Sequence, residues 1–499
     1  MSAARHVAVI GAGPAGLSAA HAALAAGARV TLVDSAEQPG GQYHRMLPAA
    51  YAAEHPERLH HDWPAFERRR RRVLAHPRCT WLPDSAVWML EPPAPEPAGP
   101  PRVHLLCGGP ADGSGRARRT LDADAVVLAV GAHDRVLPFP GWDLPGVFTA
   151  GAAQALAKGE RVVVGDRVVV AGTGPFLLPV AASLLEAGSR VLEVLEAAGP
   201  ATLARGWGRR PWELVPHTGK AGELAGYVAL LARHRVRYRL GRTVVEARGE
   251  GRVEEVVTAR LRPDWSVVPG SARTVPVDAV CVGHGFSPQL ELPLAAGCVL
   301  RGEVAGGPPG AFVRVDDDQR TSVPGVFAAG EITGIAGAPA ARAEGAVAGW
   351  AAAGGDPAAR PLRALRRSRD AGRAFAERLA RAHPVGAAWS GWLRAETVVC
   401  RCEGTDYGAL CAAVTDRAGS AARVTKLTTR AGLGPCQGRV CGPTVAELTA
   451  RLAGAPPDGE PHEGLPPAGP HRRPVAQPIR LGELAAPSAP TDERESSHE

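Results

Sequence analysis

The chain has 499 residues, too many for one hydrophobic core, so two to four domains are expected. Hydrophobic residues make up 45% but aromatics only 5%, so the core is built mainly from Ala, Val and Leu, which suits helices packed on parallel sheets. The net charge of +7 admits an anionic partner, but the sharpest basic run, Arg68 to Arg72, has no interleaved aromatics and excludes a base-stacking nucleic-acid surface. That run reads as the solvated face of a helix over 63–74, with a docking surface for an acidic partner as the alternative.

No stretch approaches the roughly 18–20 apolar residues of a membrane span. Residues 1–6 run straight into the first strand without a signal peptide. The nine cysteines are odd in number, and four stand alone at Cys79, Cys107, Cys281 and Cys298, so no disulfide framework is expected. A cytoplasmic chain without a membrane span follows as the expectation.

In chain order, a strand over 6–10 leads into Gly11-Ala12-Gly13-Pro14-Ala15-Gly16, an Ala-rich helix to about 26, and a second strand, Arg29–Val33, closed by Asp34. This is G-x-G-x-x-G inside a βαβ unit. Gly11 permits the tight turn, Gly13 lets the backbone approach a pyrophosphate, and Gly16 allows close helix–strand packing. The helix N-terminus faces the phosphates and Asp34 can accept from a ribose hydroxyl. Pro39-Gly40-Gly41-Gln42 follows as in flavoproteins. A buried strand over 126–130 ends at Gly131. The inserts 91–101 and 108–119 read as flexible surface loops.

The pattern restarts with a strand over 167–171, the turn Gly172-Thr173-Gly174-Pro175-Phe176-Leu177, a helix to 187, a strand over 190–195, and Glu196. Two nucleotide-binding domains in tandem explain this internal repeat, about 160 residues apart. Leu177 replaces the third glycine. Glu196 still supplies a ribose-binding carboxylate, so an adenine nucleotide, NAD or a static one, is expected; a domain kept for packing alone is the alternative. No C-x-x-C lies between 151 and 310, which argues against thiol–disulfide chemistry there.

Strands over 277–282 and 325–329 follow, the second running into Gly330-Glu331. That ending resembles a second FAD signature in which the acid, usually Asp, binds the ribityl chain. The Gly/Ala-rich stretch 334–349 could pack a helix against a flat ligand, and 356–395 reads as a helical linker. Then come Cys400-Arg401-Cys402, 33 intervening residues, and Cys436 and Cys441 separated by four. Two close thiolate pairs suit a four-cysteine iron–sulfur cluster or a zinc site; the C-x-C spacing and the flanking glycines argue for [2Fe–2S]. Cys411 reads as core. From 456 the chain is Pro-, Glu-, His- and Ser-rich and is expected to be disordered.

Several segments together resemble one family. They are Val130-Gly131-Ala132-His133-Asp134-Arg135, Pro138-Phe139-Pro140-Gly141-Trp142, Gly172-Thr173-Gly174-Pro175 with Leu178-Pro179-Val180-Ala181, and Gly432-Leu433-Gly434-Pro435-Cys436-Gln437-Gly438. The family is that of the A-type or α subunits of heteromeric amino-acid and opine dehydrogenases. It includes the A-type subunits of octopine and nopaline oxidases, the α subunits of dye-linked L-proline and D-hydroxyproline dehydrogenases, and the B component of hydrogen cyanide synthase. The resemblance covers about 1–455.

It implies an α/β flavoprotein with two dinucleotide-binding domains and a small helical C-terminal [2Fe–2S] domain like bacterioferritin-associated ferredoxin. The implied domains are 1–150 plus 311–355 for FAD, 151–310 for a second nucleotide (NAD, or ATP as in some members), 356–395 as linker, 396–455 for the cluster and 456–499 as tail. It implies two partners, an FAD-dependent amine oxidase-like β subunit plus a small ferredoxin-like one. FAD contacts then fall on Gly11, Gly13, Gly16, Asp34, Gly41, Gln42, Gly131, Gly330 and Glu331, with Pro14, Ala15 and Gly40 beside them. Gly172, Gly174 and Glu196 would line the second site, and Cys400, Cys402, Cys436 and Cys441 would hold the cluster. No side chain is nominated as catalytic. A free-standing NAD(P)H-dependent reductase and a redox-silent scaffold are the competing readings.

Overall fold

The computed structural model describes residues 4–51, 54–58, 60–91, 100–108, 115–209, 218–301, 312–415, 422–454 and 475–486. Short Val- and Ala-rich runs such as His6–Ile10 and Ala125–Leu128 are buried along their whole length. Strands apolar on both faces belong in parallel sheets covered by helices. They form a five-stranded parallel sheet in the order Val326–Ala328, Ala125–Leu128, His6–Ile10, Arg29–Val33, Cys79–Leu82. A second parallel sheet runs Val147–Thr149, Ala279–Gly283, Arg167–Gly172, Arg190–Glu196, Arg237–Leu240.

Each parallel sheet is accompanied by a three-stranded antiparallel sheet, Ser85–Glu91, Arg102–Cys107 and Ala117–Leu121 in the first half and Arg242–Arg248, Glu255–Arg260 and Arg273–Pro276 in the second. The repeat therefore extends well beyond the βαβ unit. Residues 117–119, expected as loop, are strand, because Leu121 anchors their sheet in the core. Within those inserts, 92–99 and 109–114 lie outside the described residues.

The helix Pro14–Ala25 is buried on most of its surface. It packs on the helix Gly337–Ala352, where a Cβ at Gly345 or Gly349 would fall onto the carbonyls of Ala15 and Ala19. The small residues expected to face a flat ligand thus serve helix–helix contact. The helix Arg360–Ala382 is more than a linker. Arg366 pairs with Asp318 at 2.5 Å and Arg373 with Glu344 at 2.7 Å on the first fold. At its other end Arg378 donates to the Trp207 carbonyl at 3.0 Å on the second. On the helix Trp63–Leu74, Phe66 and Val73 are buried and Glu67 pairs with Arg70 and Arg71.

The C-terminal domain has a small strand pair, Val398–Cys400 with Thr405–Asp406, and the helices Tyr407–Thr415, Ala422–Thr429 and Gly442–Leu452. The expected disorder from 456 does not hold for 475–486. Val475 bridges to Met89, Ala476 is buried, and the short helix Leu481–Ala485 brings Glu483 to 2.7 Å from Arg116 in a shielded ion pair. A backbone bridge and a bidentate Arg–carboxylate pair order a segment whose composition alone predicts none. Residues 456–474 and 487–499 lie outside the described residues.

Candidate functional site

The first glycine turn sits at the C-terminal ends of its parallel strands, where open α/β sheets bind ligands. Gly11 has φ +100°, and a Cβ there would meet the Ala129 carbonyl; a Cβ at Gly16 would fall onto the Gly11 carbonyl. Among the described residues, the only atom within 4 Å of a Cβ at Gly13 is the Gly41 Cα, at 3.8 Å, so Gly40-Gly41 lies over the turn and leaves a cradle above it. Ala12 N–H donates to Asp34 at 2.5 Å and Ala36 N–H at 2.8 Å. Burial pushes the Asp34 carboxyl up, against the pull of those backbone donors. The N-terminus of the Pro14–Ala25 helix opens on this cradle. Ala15 instead faces Gly330 and Gly345.

Gly131 is also left-handed, at φ +78°, and faces open space. Gly330 and Glu331 come from the neighbouring strand end. Gly337 N–H donates to Glu331 Oε1 at 3.0 Å, while Oε2 is buried with no partner among the described residues. Burial pushes this carboxyl up to about 7. An orphaned buried acceptor there fits a ligand that presents hydroxyls, as a ribityl chain does. Gln42 is exposed, and its side-chain oxygen accepts from Arg45 at 2.9 Å.

Two groups escaped the sequence reading. Glu344, buried and the one acid in a largely Ala/Gly helix, accepts from Gly330 N–H at 2.8 Å and Thr333 Oγ1 at 2.6 Å and holds the Gly330 turn. A lone acid amid small apolar residues was the available signal. His44, three residues past Gly41, stacks on Phe66 at 4.0 Å and is pushed down to about 4 by burial. As a neutral ring its Nε2 donates to the His61 carbonyl at 3.1 Å, which leaves its buried Nδ1 as an unpartnered acceptor among the described residues.

The second glycine turn differs. Glu196 is fully buried and already saturated: Thr173 Oγ1 and Ala198 N–H donate to Oε1, each at 2.8 Å, and Gly174 N–H and His383 Nδ1 lie at 2.9 and 3.1 Å from Oε2. His383 caps the long Arg-rich helix. The helix after this turn begins at Leu177, the position that Gly16 holds in the first fold, whereas the first helix begins at Pro14. Its opening bonds, Leu177 N to Gly174 O and Leu178 N to Pro175 O, are of the tighter i to i−3 kind.

The four C-terminal cysteines converge. Cys441 lies within hydrogen-bond reach of both Cys400 and Cys436, and Cys436 of Cys402. The Cys441 contact, then backbone N–H groups of Gly432, Glu403 and Cys402, pull Cys400 down to about 6; the same contact with the N–H groups of Val440 and Gly438 brings Cys436 to about 4. A Cβ at Gly434 would strike the Cys402 side chain, so glycine is needed for the loop to close. Among the described residues no three His, Cys, Asp or Glu side chains are gathered around a point suited to one metal ion. Four sulfurs linked in a chain with inward-facing N–H donors fit a two-iron cluster, with two thiolates per iron, better than one tetrahedral ion.

This domain docks on residues 132–142, the crossover from the first fold to the second. His133 Nε2 bonds the Arg439 carbonyl at 2.8 Å, Arg135 pairs with Glu447 at 2.7 Å, and Thr444 Oγ1 donates to the Val136 carbonyl at 2.5 Å. Arg401 lies 4.0 Å over the Trp142 ring, whose Nε1 donates to the Val398 carbonyl. Val136, Leu137, Phe139 and Trp142 share a core with Val399, Leu410 and Leu448.

Family models match both parts, pyridine nucleotide-disulphide oxidoreductase over residues 5–345 and BFD-like [2Fe-2S] binding domain over 398–451. The fold and site thus define a flavoprotein of the pyridine nucleotide-disulphide oxidoreductase class that carries FAD and a [2Fe–2S] cluster. Within that class the chain belongs to the family of opine oxidase A-type subunits. It is 33% identical over 494 residues to the A-type subunit of the Rhizobium meliloti opine oxidase, covering 96% of this chain and 87% of the relative. To its counterpart in Agrobacterium tumefaciens strain Ach5 it is 34% identical over 498 residues, covering 96% and 90%. The HcnB component of hydrogen cyanide synthase from Pseudomonas aeruginosa is 33% identical over 334 residues, 63% of this chain and 68% of its own. The L-proline dehydrogenase structure from P. horikoshii superposes with a TM-score of 0.63 at 19% identity, covering 97% of this chain and 79% of that one, a likeness of fold.

Proposed function

We propose that this chain is the electron-transfer subunit of a heteromeric dehydrogenase that oxidises a carbon–nitrogen bond in an amino acid or opine. Several relatives bear the name of one subunit of a larger enzyme, opine oxidase or hydrogen cyanide synthase. We take the substrate to bind a partner chain of the FAD-dependent amine oxidase kind, accompanied by a small ferredoxin-like subunit. The observation that carries the reading is the docking of the cysteine loop on the crossover that begins at Gly131. That contact supports transfer between two centres of one chain.

The FAD and the cluster supply the redox chemistry when bound. The chain's own residues bind and orient. The Gly11–Gly16 turn and helix N-terminus receive the pyrophosphate, Asp34 the ribose, and Glu331 the ribityl hydroxyls. Cys400, Cys402, Cys436 and Cys441 are the cluster ligands. The five cysteines outside the cluster set, none of them paired in a disulfide, support a reducing, cytoplasmic setting, and no helix among the described residues is long and apolar enough to cross a membrane. Cys436→Ser is expected to abolish cluster absorbance while sparing FAD; retained cluster would overturn the ligand set, and a purified chain without flavin would overturn the reading. Turnover of the purified complex with L-proline, 4-hydroxyproline, glycine, sarcosine and opines identifies the substrate.

A free-standing NAD(P)H reductase is the reading less favoured, because Glu196 already has a donor for each of its acceptor positions.

A further inference from the structure

The hydrogen bond from His133 to the Arg439 carbonyl joins two segments with separate duties. Arg439 lies between Cys436 and Cys441, so its carbonyl belongs to the loop that carries two of the four thiols. His133 lies two residues after Gly131, on the short strand Ala132–Asp134 that leaves the flavin-binding turn. The ring is half-buried, and the bond at 2.8 Å is well formed. The Arg439 side chain is fixed as well: it pairs with Glu291 at 3.0 Å and donates to the Ala476 carbonyl. The strand under His133 is itself paired, Ser287 to His133 and Phe286 to Asp134.

We propose that His133 is the positioning residue that holds the cysteine loop against the flavin-binding turn, so that electrons pass between FAD and cluster inside this chain by way of the His133–Arg439 contact. The inference rests on the FAD and cluster assignments made above. The route is Cys436 or Cys441, the backbone to the Arg439 carbonyl, one hydrogen bond, the His133 ring, and the backbone back to Gly131. Of the other contacts across this junction, Arg135 to Glu447 and Thr444 to Val136 enter through the helix that follows Cys441, and Trp142 to Val398 with Arg401 over the Trp142 ring reaches the Cys400–Cys402 segment, but from a residue nine positions further along the chain from Gly131 than His133. They hold the domain without shortening that route.

The step moves one electron. A flavin given one electron by a photoexcited one-electron donor returns to its oxidised form, releases to solvent any proton it had taken up, and one ferric iron of the cluster becomes ferrous. The test is flash photoreduction of the full-length, flavin- and cluster-loaded protein, following flavin reoxidation and cluster bleaching. His133→Phe, which keeps a ring but loses the bond, is expected to slow the transfer several-fold while flavin content, cluster absorbance and the cluster EPR signal stay native. Thr444→Val, which removes a docking bond off the route, is expected to leave the rate unchanged. Native transfer in His133→Phe overturns the proposal, as does an equal slowing in Thr444→Val, which would reduce His133 to simple docking. Absence of flavin or cluster from the native protein would instead strike the underlying assignments, so the two failures are distinguishable.

Discussion

The two dinucleotide folds share the order of four parallel strands, an antiparallel sheet and a glycine turn, and differ in the edge strand, last in the chain in one and first in the other, and in what happens at the acid. In the first, Asp34 takes backbone donors and lies beside an open cradle, with Gly16 letting the helix start at the turn. In the second, a carboxylate in the corresponding place is closed over by the chain's own donors, the last of them His383. The same architecture therefore leaves its acid beside an open cradle in one copy and under a protein contact in the other. The difference comes from one residue in the turn and one from a distant helix end, not from the sheet.

Exchanging the turn residue is the harshest way to break this comparison. Gly16→Leu gives the first fold the side chain of the second. With the Gly11 carbonyl where its Cβ must go, a loss of about 3 kcal/mol is expected, together with loss of bound flavin. The urea midpoint and the flavin absorbance of the purified variant check it; flavin retained at native stoichiometry would show that close packing is dispensable.

Next in size is Glu196→Gln. Placing an amide N–H₂ opposite the Gly174 N–H or the Thr173 hydroxyl removes acceptors that buried donors need, at a cost of about 2 kcal/mol. Equilibrium unfolding measures it. The matching Asp34→Asn should lower flavin affinity more than fold stability, because that acid, proposed to take the ribose, borders the open cradle.

His383→Ala sharpens the contrast from the other side. It frees one acceptor position on Glu196, and a hydrogen bond of about 1.4 kcal/mol from a ribose hydroxyl would tighten AMP or NADH binding about ten-fold by titration calorimetry. Unchanged affinity would mean that the recessed helix, rather than His383, closes the second fold.

The mildest effect is a pH slope. Glu331 is raised to about 7 in the folded apoprotein from an ordinary value of 4.5. The folded state then holds more protons than the unfolded one between those values, so this group's favourable contribution is complete below about 4.5 and is lost as pH rises through about 7. Glu331→Gln should flatten that part of the stability profile. Bound FAD, by offering hydroxyl donors to the carboxylate, should oppose the loss, which thermal melts of apo and flavin-loaded protein at several pH values would show.

The glycine turns and the inner strands of both parallel sheets were legible in the sequence because each glycine answers a local steric demand and each of those strands is a continuous apolar run; the edge strands Cys79–Leu82, Val147–Thr149 and Arg237–Leu240 were not, being short and, in the last, charged at alternate positions. The antiparallel sheets were not, since strands such as Arg102–Cys107 and Ala117–Leu121 carry Arg and His on their open faces and break the apolar alternation. The cysteine pairs could be read from spacing. The closure of Glu196 could not, because its last donor stands 187 residues away. The same holds for the tail: nothing local in Val475-Ala476 announces that it pairs with Met89 and Trp88.

That tail contact changes how the cluster domain behaves as a tethered module. A domain on a single flexible leash meets its target at an effective concentration set by the leash, and loses contact for part of the time. Here the chain enters the domain from the rigid helix Arg360–Ala382 and is fastened again at Ala476 and Glu483, while Arg439 grips the fastened segment. The domain is thus entered from the Arg360–Ala382 side and contacted from residues 132–142 and from Ala476. Cutting the chain after 454 would remove the Ala476 carbonyl that Arg439 grips and leave the contacts with residues 132–142 to hold the domain by themselves.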